Sequence, residues 1–332
     1  MGGAAGVREL MVRYISGRVL GLVLVLLVTS FVVFSAVHLA PGDPVTFLMR
    51  GRPITPQTRA AVTEQYHLDD PFFTQYFKWL GDVLTGDFGR SVQFRQDVGH
   101  LIGDKLPTTL WLIGYSMVLI CVFGIGLGII SALKPGIVDR TVLIGTGVST
   151  ATPAFASGLV LIAVFSRMLG WFPSYGSGSE DGFGGRIQHL TLPAIALALT
   201  FTGLLARVTR AAMLDELGRE HVEVARSRGV AGGEVVRKHV LRNALGPIVT
   251  VIGTMVAGLL VSTSIVETVF STDGVGSLLI RSVTNKDFPV VQALTLLIVA
   301  VFVIVNLIVD LLQPLIDPRL SLTQSTKRRG AS

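Results

Sequence analysis

The sequence predicts an all-α integral membrane protein with six transmembrane helices, and three observations carry that expectation. Half of the 332 residues are hydrophobic, only 15% are charged, and mean hydropathy is +0.63. A soluble globule is nearer 25% charged, and a disordered chain is charge-rich and apolar-poor, so neither class fits. Asp, Glu, Lys and Arg are also absent from six long runs: 19–42, 106–133, 141–166, 187–206, 243–266 and 288–309. Each run holds 20 to 28 residues, and a membrane-crossing helix needs roughly 20 apolar ones. Finally, the remaining basic residues fall unevenly between the two sets of connecting segments. The N-terminus, 134–140, 207–242 and the C-terminus carry 17 Lys and Arg against 9 acids; 43–105, 167–186 and 267–287 carry 11 against 13. Lys and Arg near helix ends stay on the cytoplasmic side, so both termini are expected inside.

The first run follows Arg8, Arg13 and Arg18, as a signal peptide would. Its apolar stretch exceeds the roughly 7–15 residues of a signal core, and His38 stands between Ala36 and Ala40, so an uncleaved signal-anchor fits better. Residues 1–42 then comprise the cytoplasmic N-terminus and first span.

Residues 43–105 form an extracytoplasmic helical segment. Thr55 before Pro56 and Asp70 before Pro71 each read as an N-cap followed by proline at the first helical position. Phe72, Phe73, Tyr76, Phe77, Leu80, Val83 and Leu84 put one aromatic face on the second helix, and Gly86 is its expected stop. This segment is expected either on the bundle or at the headgroups. Asp43 between Pro41 and Pro44 suggests a fixed turn or a cap for the first external helix. Further on, five glycines within 176–185 suggest a flexible loop.

The remaining core, 106–316, holds five spans and one long internal connection, 207–242. Connections in compact domains average about 4–6 residues. Here Asp215, Glu216 and Glu220 come early, Arg226 and Arg228 late, and Gly229 ends the run, which complements a helix dipole. A second helix with Val236, Val240 and Ala244 on one face follows a turn at 230–233, and Pro247 opens or kinks the next span. A helix–turn–helix outside the membrane points to a partner; a plain connection is the other reading. Residues 317–332 form a cytoplasmic tail. Small residues such as Gly124, Gly126, Gly128, Gly253 and Ala257 permit close helix approach.

Several chemistries lack their residues. There is no phosphate-binding G-x-x-x-x-G-K-[ST], no H-E-x-x-H and no G-x-S-x-G. The six histidines, at 38, 67, 100, 189, 221 and 239, form no ligand-spaced cluster, so neither a catalytic residue nor a metal site is expected. Cys121 has no second cysteine to pair with. Dispersed basic residues argue against nucleic acid, and charge-free spans argue against a proton- or ion-driven carrier. Energy for uphill transport would come from another chain.

Ordered motifs along almost the whole chain resemble the permease subunits of dipeptide/oligopeptide/nickel-class ABC importers, the type I (MetI-like) permease fold. They are Leu39-Ala-Pro-Gly-Asp-Pro44, Gly86-Asp-Phe-Gly-Arg-Ser91, Lys105-Leu-Pro-Thr-Thr109, Leu192-Pro193, Arg207-x-x-Arg210, Glu223-Val-Ala-Arg-Ser-Arg-Gly229 and Leu241-Arg-Asn-Ala-Leu-Gly-Pro247. Glu267-Thr-Val-Phe270, Gly274-Val-Gly276, Asp287-Phe-Pro289, Asp310 and Asp317-Pro-Arg319 complete the series.

The resemblance makes 207–242 the coupling ("EAA") loop. Glu223, Val224, Ala225, Arg226 and Gly229 then contact an ATPase, with Val224 where the family motif has alanine. Glu223 caps, pairs with a partner's basic residue, or pairs within its helix with Arg226. Glu267 and Phe270 become candidates for a gate or substrate path, with a headgroup position for Glu267 as the alternative. Gly274 and Gly276 are expected to shape a turn, loosened because Asp273 stands where the family usually has proline. Asp287, before Phe288-Pro289, is expected to be an N-cap.

Implied partners are a second homologous permease, two cytoplasmic ATP-binding subunits, an extracytoplasmic substrate-binding protein and membrane lipid. ATP and Mg would sit on the ATPases, with no cofactor on this non-catalytic chain. The implied place is a prokaryotic cytoplasmic membrane and the implied solute a short peptide. Glutathione and nickel chelates stay open, as does a passive channel or scaffold.

Overall fold

The computed structural model describes residues 2–39, 55–65 and 69–316. The expected turn at Pro41, Asp43 and Pro44 and the tail 317–332 lie outside the described residues. The described chain is helical: α1 (Gly2–Leu39), α2 (Pro56–Gln65), α3 (Phe72–Thr85), α4 (Val98–Leu133), α5 (Ile137–Ala151), α6 (Ala154–Met168), α7 (Gly182–Leu217), α8 (Glu220–Ser227), α9 (Gly232–Val269), α10 (Val275–Thr284) and α11 (Phe288–Ile316). Five of these are long and apolar enough to cross a membrane, and α5 with α6 makes a sixth if counted as one span.

That pair corrects one expectation. The run 141–166 reads as one helix, but it breaks at Thr152-Pro153 and bends by 99°. Proline has no N–H to continue the ladder and pushes the residue before it out of the α region. Thr152 is accordingly extended, at φ −85° and ψ 122°. Pro107, Pro193 and Pro247 instead lie inside α4, α7 and α9, so Pro247 does not open its span.

The described residues within 1–109 and 273–304 form one compact unit. In it α2 starts at Pro56 as expected, with Arg59 N–H bonded to Thr55 O at 2.9 Å. Helix α3 starts one residue later than expected. Pro71 holds the N-cap position, while the Asp70 carboxylate accepts from Lys78 at 2.8 Å. Gly86 ends α3 at φ +89°. The aromatic face of α3 lies on α1: Tyr76 packs edge-on to Phe31 and Phe34, and its hydroxyl meets Ser30 Oγ at 2.9 Å.

The second unit takes the described residues from 110–272 and from 305 onward, and α7 is its central helix. Helices α5 and α9 pack along it, burying Leu190, Leu192, Leu197, Leu205 and Met213. Lipid tails are as apolar as leucine, so close approach rather than burial from water must hold such helices together. Gly124 and Gly128 give that approach: a Cβ would lie 2.9 Å from Leu205 Cβ and 2.5 Å from Thr209 Cβ respectively. Gly126 contributes nothing here, with open space around it. The glycine-rich stretch is only partly a loop, because Gly182, Gly184 and Gly185 begin α7.

Candidate functional site

The internal connection folds as helix α8 between the ends of α7 and α9. Its boundaries differ from the expected ones: Asp215 and Glu216 belong to the last turn of α7, and α8 begins only at Glu220. Arg219 supplies the extended N-cap backbone, and its guanidinium returns to Asp215 at 2.8 Å and Glu216 at 3.1 Å. At the other end Gly229 N–H bonds Arg226 O (3.0 Å) and Val230 N–H bonds Ala225 O (3.2 Å). This paired closure is a Schellman motif, and it puts Gly229 at φ +75°, a region that costs other residues roughly 1–2 kcal/mol.

Helix α8 has two faces. Val222 and Ala225 are buried in the core that also contains Val235, Val240 and Ala244 of α9. Glu223, Val224 and Arg226 face outward, and Val224 is 47% exposed. Among the described residues Glu223 makes no ion pair with Arg226, so of its three readings the intrahelical pair is not formed. The outcome is an apolar valine ringed by charge on a helix whose inner face is fixed, a surface suited to docking.

Polar side chains that composition does not advertise gather at its base. Glu216 is 7% exposed, and its Oε2 lies 3.6 Å from His221 Nε2. Asn243 Nδ2 donates to His239 O at 2.8 Å and lies 3.2 Å from His221 Nε2. His221, at the start of α8, therefore lies between Glu216 at the end of α7 and Asn243 of α9. Their only signal in sequence is the polar spacing of a segment expected to be internal.

Glu267 and Phe270 end up in the core. Glu267 is 0% exposed in the last turn of α9, and Phe270 is 1% exposed. A Cβ on Gly158 of α6 would lie 3.0 Å from the Phe270 ring, and Gly176 N–H bonds Phe270 O at 3.1 Å. Neither side chain faces open space in this conformation.

In the other unit, motifs far apart in sequence meet. Asp287 precedes α11, and its backbone carbonyl accepts from Val291 N–H at 3.0 Å, as an N-cap's does. Its side chain does something else: it accepts from Ser91 Oγ and from the N–H groups of Val92 (3.2 Å) and Gln93 (3.1 Å). The carboxylate is therefore the anchor of the 91–93 turn. Asp273, in the adjoining turn, forms an ion pair with Lys105. Thr109 Oγ1 accepts from Val275 N–H at 2.8 Å. Gly274 is the N-cap of α10 in extended backbone (φ −118°, ψ 179°), whereas Gly276 and Pro289 sit within the first turns of α10 and α11 and shape no turn.

Residues 124–322 match the family described as the binding-protein-dependent transport system inner membrane component, and residues 11–113 match the N-terminal region of the same kind of component. The chain belongs to this family. It is 39% identical over 312 residues to the glutathione transport system permease protein GsiC of Escherichia coli K12, covering 93% of this chain and 98% of the relative. It is 38% identical over 315 residues to the oligopeptide transport system permease protein AppB of Bacillus subtilis, covering 93% and 99%. The inward-facing MetNI methionine ABC transporter shares its fold, with a TM-score of 0.54 at 19% identity over 65% of this chain and 96% of that chain. The protein is therefore a multi-pass inner-membrane component with a type I importer permease fold.

Proposed function

We propose that this chain is a permease subunit of an ATP-driven importer that carries short peptides across the cytoplasmic membrane. The observation that carries the proposal is α8: an outward Val224 between Glu223 and Arg226, on a helix held from beneath by Val222 and Ala225 and closed by Gly229. A soluble ATPase that grips such a helix can move the permease as a rigid body. Peptide is the proposed solute because the relatives named for oligopeptide and glutathione transport match over nearly their full lengths. Glutathione is itself a short peptide, so the two names describe one solute chemistry.

In this reading a second, homologous permease stands beside the chain, two ATP-binding subunits dock from the cytoplasm, and a binding protein delivers solute from outside. ATP and Mg stay on the ATPases, and this chain makes and breaks no bond. ATP binding draws the α8 helices together and opens the path outward; hydrolysis resets it. Charge-free spans put selectivity largely in the binding protein. Both termini lie in the cytoplasm, so a protease site fused to either end is cut only from that side; cutting from outside would refute the orientation.

The main test is co-purification with the ATP-binding subunits, then peptide uptake into vesicles by wild type and Gly229→Asp. Asp tolerates the left-handed backbone better than most residues, but it adds negative charge beside the negative end of the α8 dipole. The expected result is an assembled variant whose peptide-stimulated ATP hydrolysis and uptake fall about tenfold. Normal coupling in the variant would overturn the docking assignment, and wild type that hydrolyses ATP without importing any peptide would overturn the solute.

A further inference from the structure

The Arg210 guanidinium grips Asp139 with two bonds, Nε to Oδ1 and Nη2 to Oδ2, both 2.7 Å. Ser131 Oγ, at the end of α4, donates to the same carboxylate. This is a bidentate, geometrically fixed ion pair, unlike a single surface contact. It joins the first turn of α5 to α7, roughly two turns before the point where α7 gives way to α8. Further along, α5 stays against α7: Ser149 Oγ donates to Leu199 O, and Gly203 lies so close to α5 that a Cβ would overlap Thr146 O. Helix α5 therefore has little freedom to slide along α7. The break at Thr152-Pro153 follows directly, where Pro153 offers no N–H to α5 and the chain turns by 99° into α6.

We propose that Asp139 and Arg210 are positioning residues that make α5 follow α7. A displacement received at α8 then reaches the 152–153 break as a change of bend, instead of being absorbed in the short turn between α4 and α5. The physical ground is a stiff path, α8 to Arg219–Glu216 to α7 to Arg210–Asp139 to α5, that ends at a corner where Pro153 has no N–H to carry the helix ladder from α5 into α6. The inference rests on the coupling reading of α8 given above, but not on which solute is carried.

The test uses the complete transporter in lipid nanodiscs. Spin labels at Ile144 on α5 and Phe155 on α6, both exposed, report the bend with and without ATP. The variants are Asp139→Asn, Arg210→Gln and the exchanged pair Asp139→Arg with Arg210→Asp. In wild type the ATP-dependent distance change is expected. In each single variant the complex assembles and hydrolyses ATP at its basal rate, the distance change is lost, and solute-stimulated hydrolysis drops about tenfold. The exchanged pair restores both, which a merely destabilising effect would not do. An unchanged label distance in wild type, normal single variants, or an exchanged pair as impaired as the single variants would each overturn the inference. A wild type that shows the distance change but imports no peptide would refute the proposed solute and leave this inference standing.

Discussion

Replacing Asp287 with alanine is expected to release the 91–93 turn and to cost the protein roughly 3 kcal/mol or more. Asp287 is 1% exposed, and its carboxylate accepts one hydroxyl and two backbone N–H groups. Alanine removes all three acceptor contacts at once. Two of the donors are backbone amides of a turn that also holds Arg95 at φ +56°, so the segment has little reserve. Ser91 is buried as well and cannot turn to water without opening the turn. Limited trypsin digestion reads this directly, because Arg90 and Arg95 flank the anchored residues and are exposed. Rapid new cleavage at these arginines, with a lower thermal midpoint of the purified protein, is the expected result. Asn at 287 keeps one acceptor oxygen but turns an N–H2 toward a donor, so it should fall between wild type and alanine. Resistance to trypsin unchanged from wild type would show that the turn is held by something other than this carboxylate.

What is legible in the sequence depends on the range of the interaction. The spans are legible because a charge in lipid is costly and every span has to be cleared of it. The stops are legible where backbone geometry forces the residue type, as at Gly86 and Gly229, both in the left-handed region. Helix α10 is hidden although Val275, Leu278, Leu279 and Ser282 have helical spacing, because two glycines so close together read as a turn. Only Gly274 caps; Gly276 is a buried position inside the helix. The side-chain partners of Asp287, Lys105 and Asp139 are not legible at all. Each acts on a residue 71 to 196 positions away, and no local pattern encodes such a partner. The same holds for Glu267: its neighbours, not its place near a span end, bury it.

The second large effect is expected at Gly203, where even alanine should separate α5 from α7. The added Cβ would overlap both Thr150 Oγ1 and Thr146 O. A side-chain hydroxyl can rotate away, but a backbone carbonyl inside a helix cannot, so α5 itself must shift. Overpacking of this kind costs about 1–3 kcal/mol, and valine should exceed alanine. The shift has a directional consequence. Ser149 and Leu199 are hydrogen-bonded across the same contact, and Asp139 and Arg210 close it toward the start of α5, so moving α5 outward weakens both at once. Gly126→Ala is the matched control. A Cβ there would meet nothing within 4 Å, and helix propensity alone favours alanine by up to about 1 kcal/mol. Thermal unfolding of the two variants in the same detergent should therefore move in opposite directions. If Gly203→Ala is as stable as wild type, α5 and α7 are not in fixed contact, and the stiff path from α8 to the break at Pro153 loses its central joint.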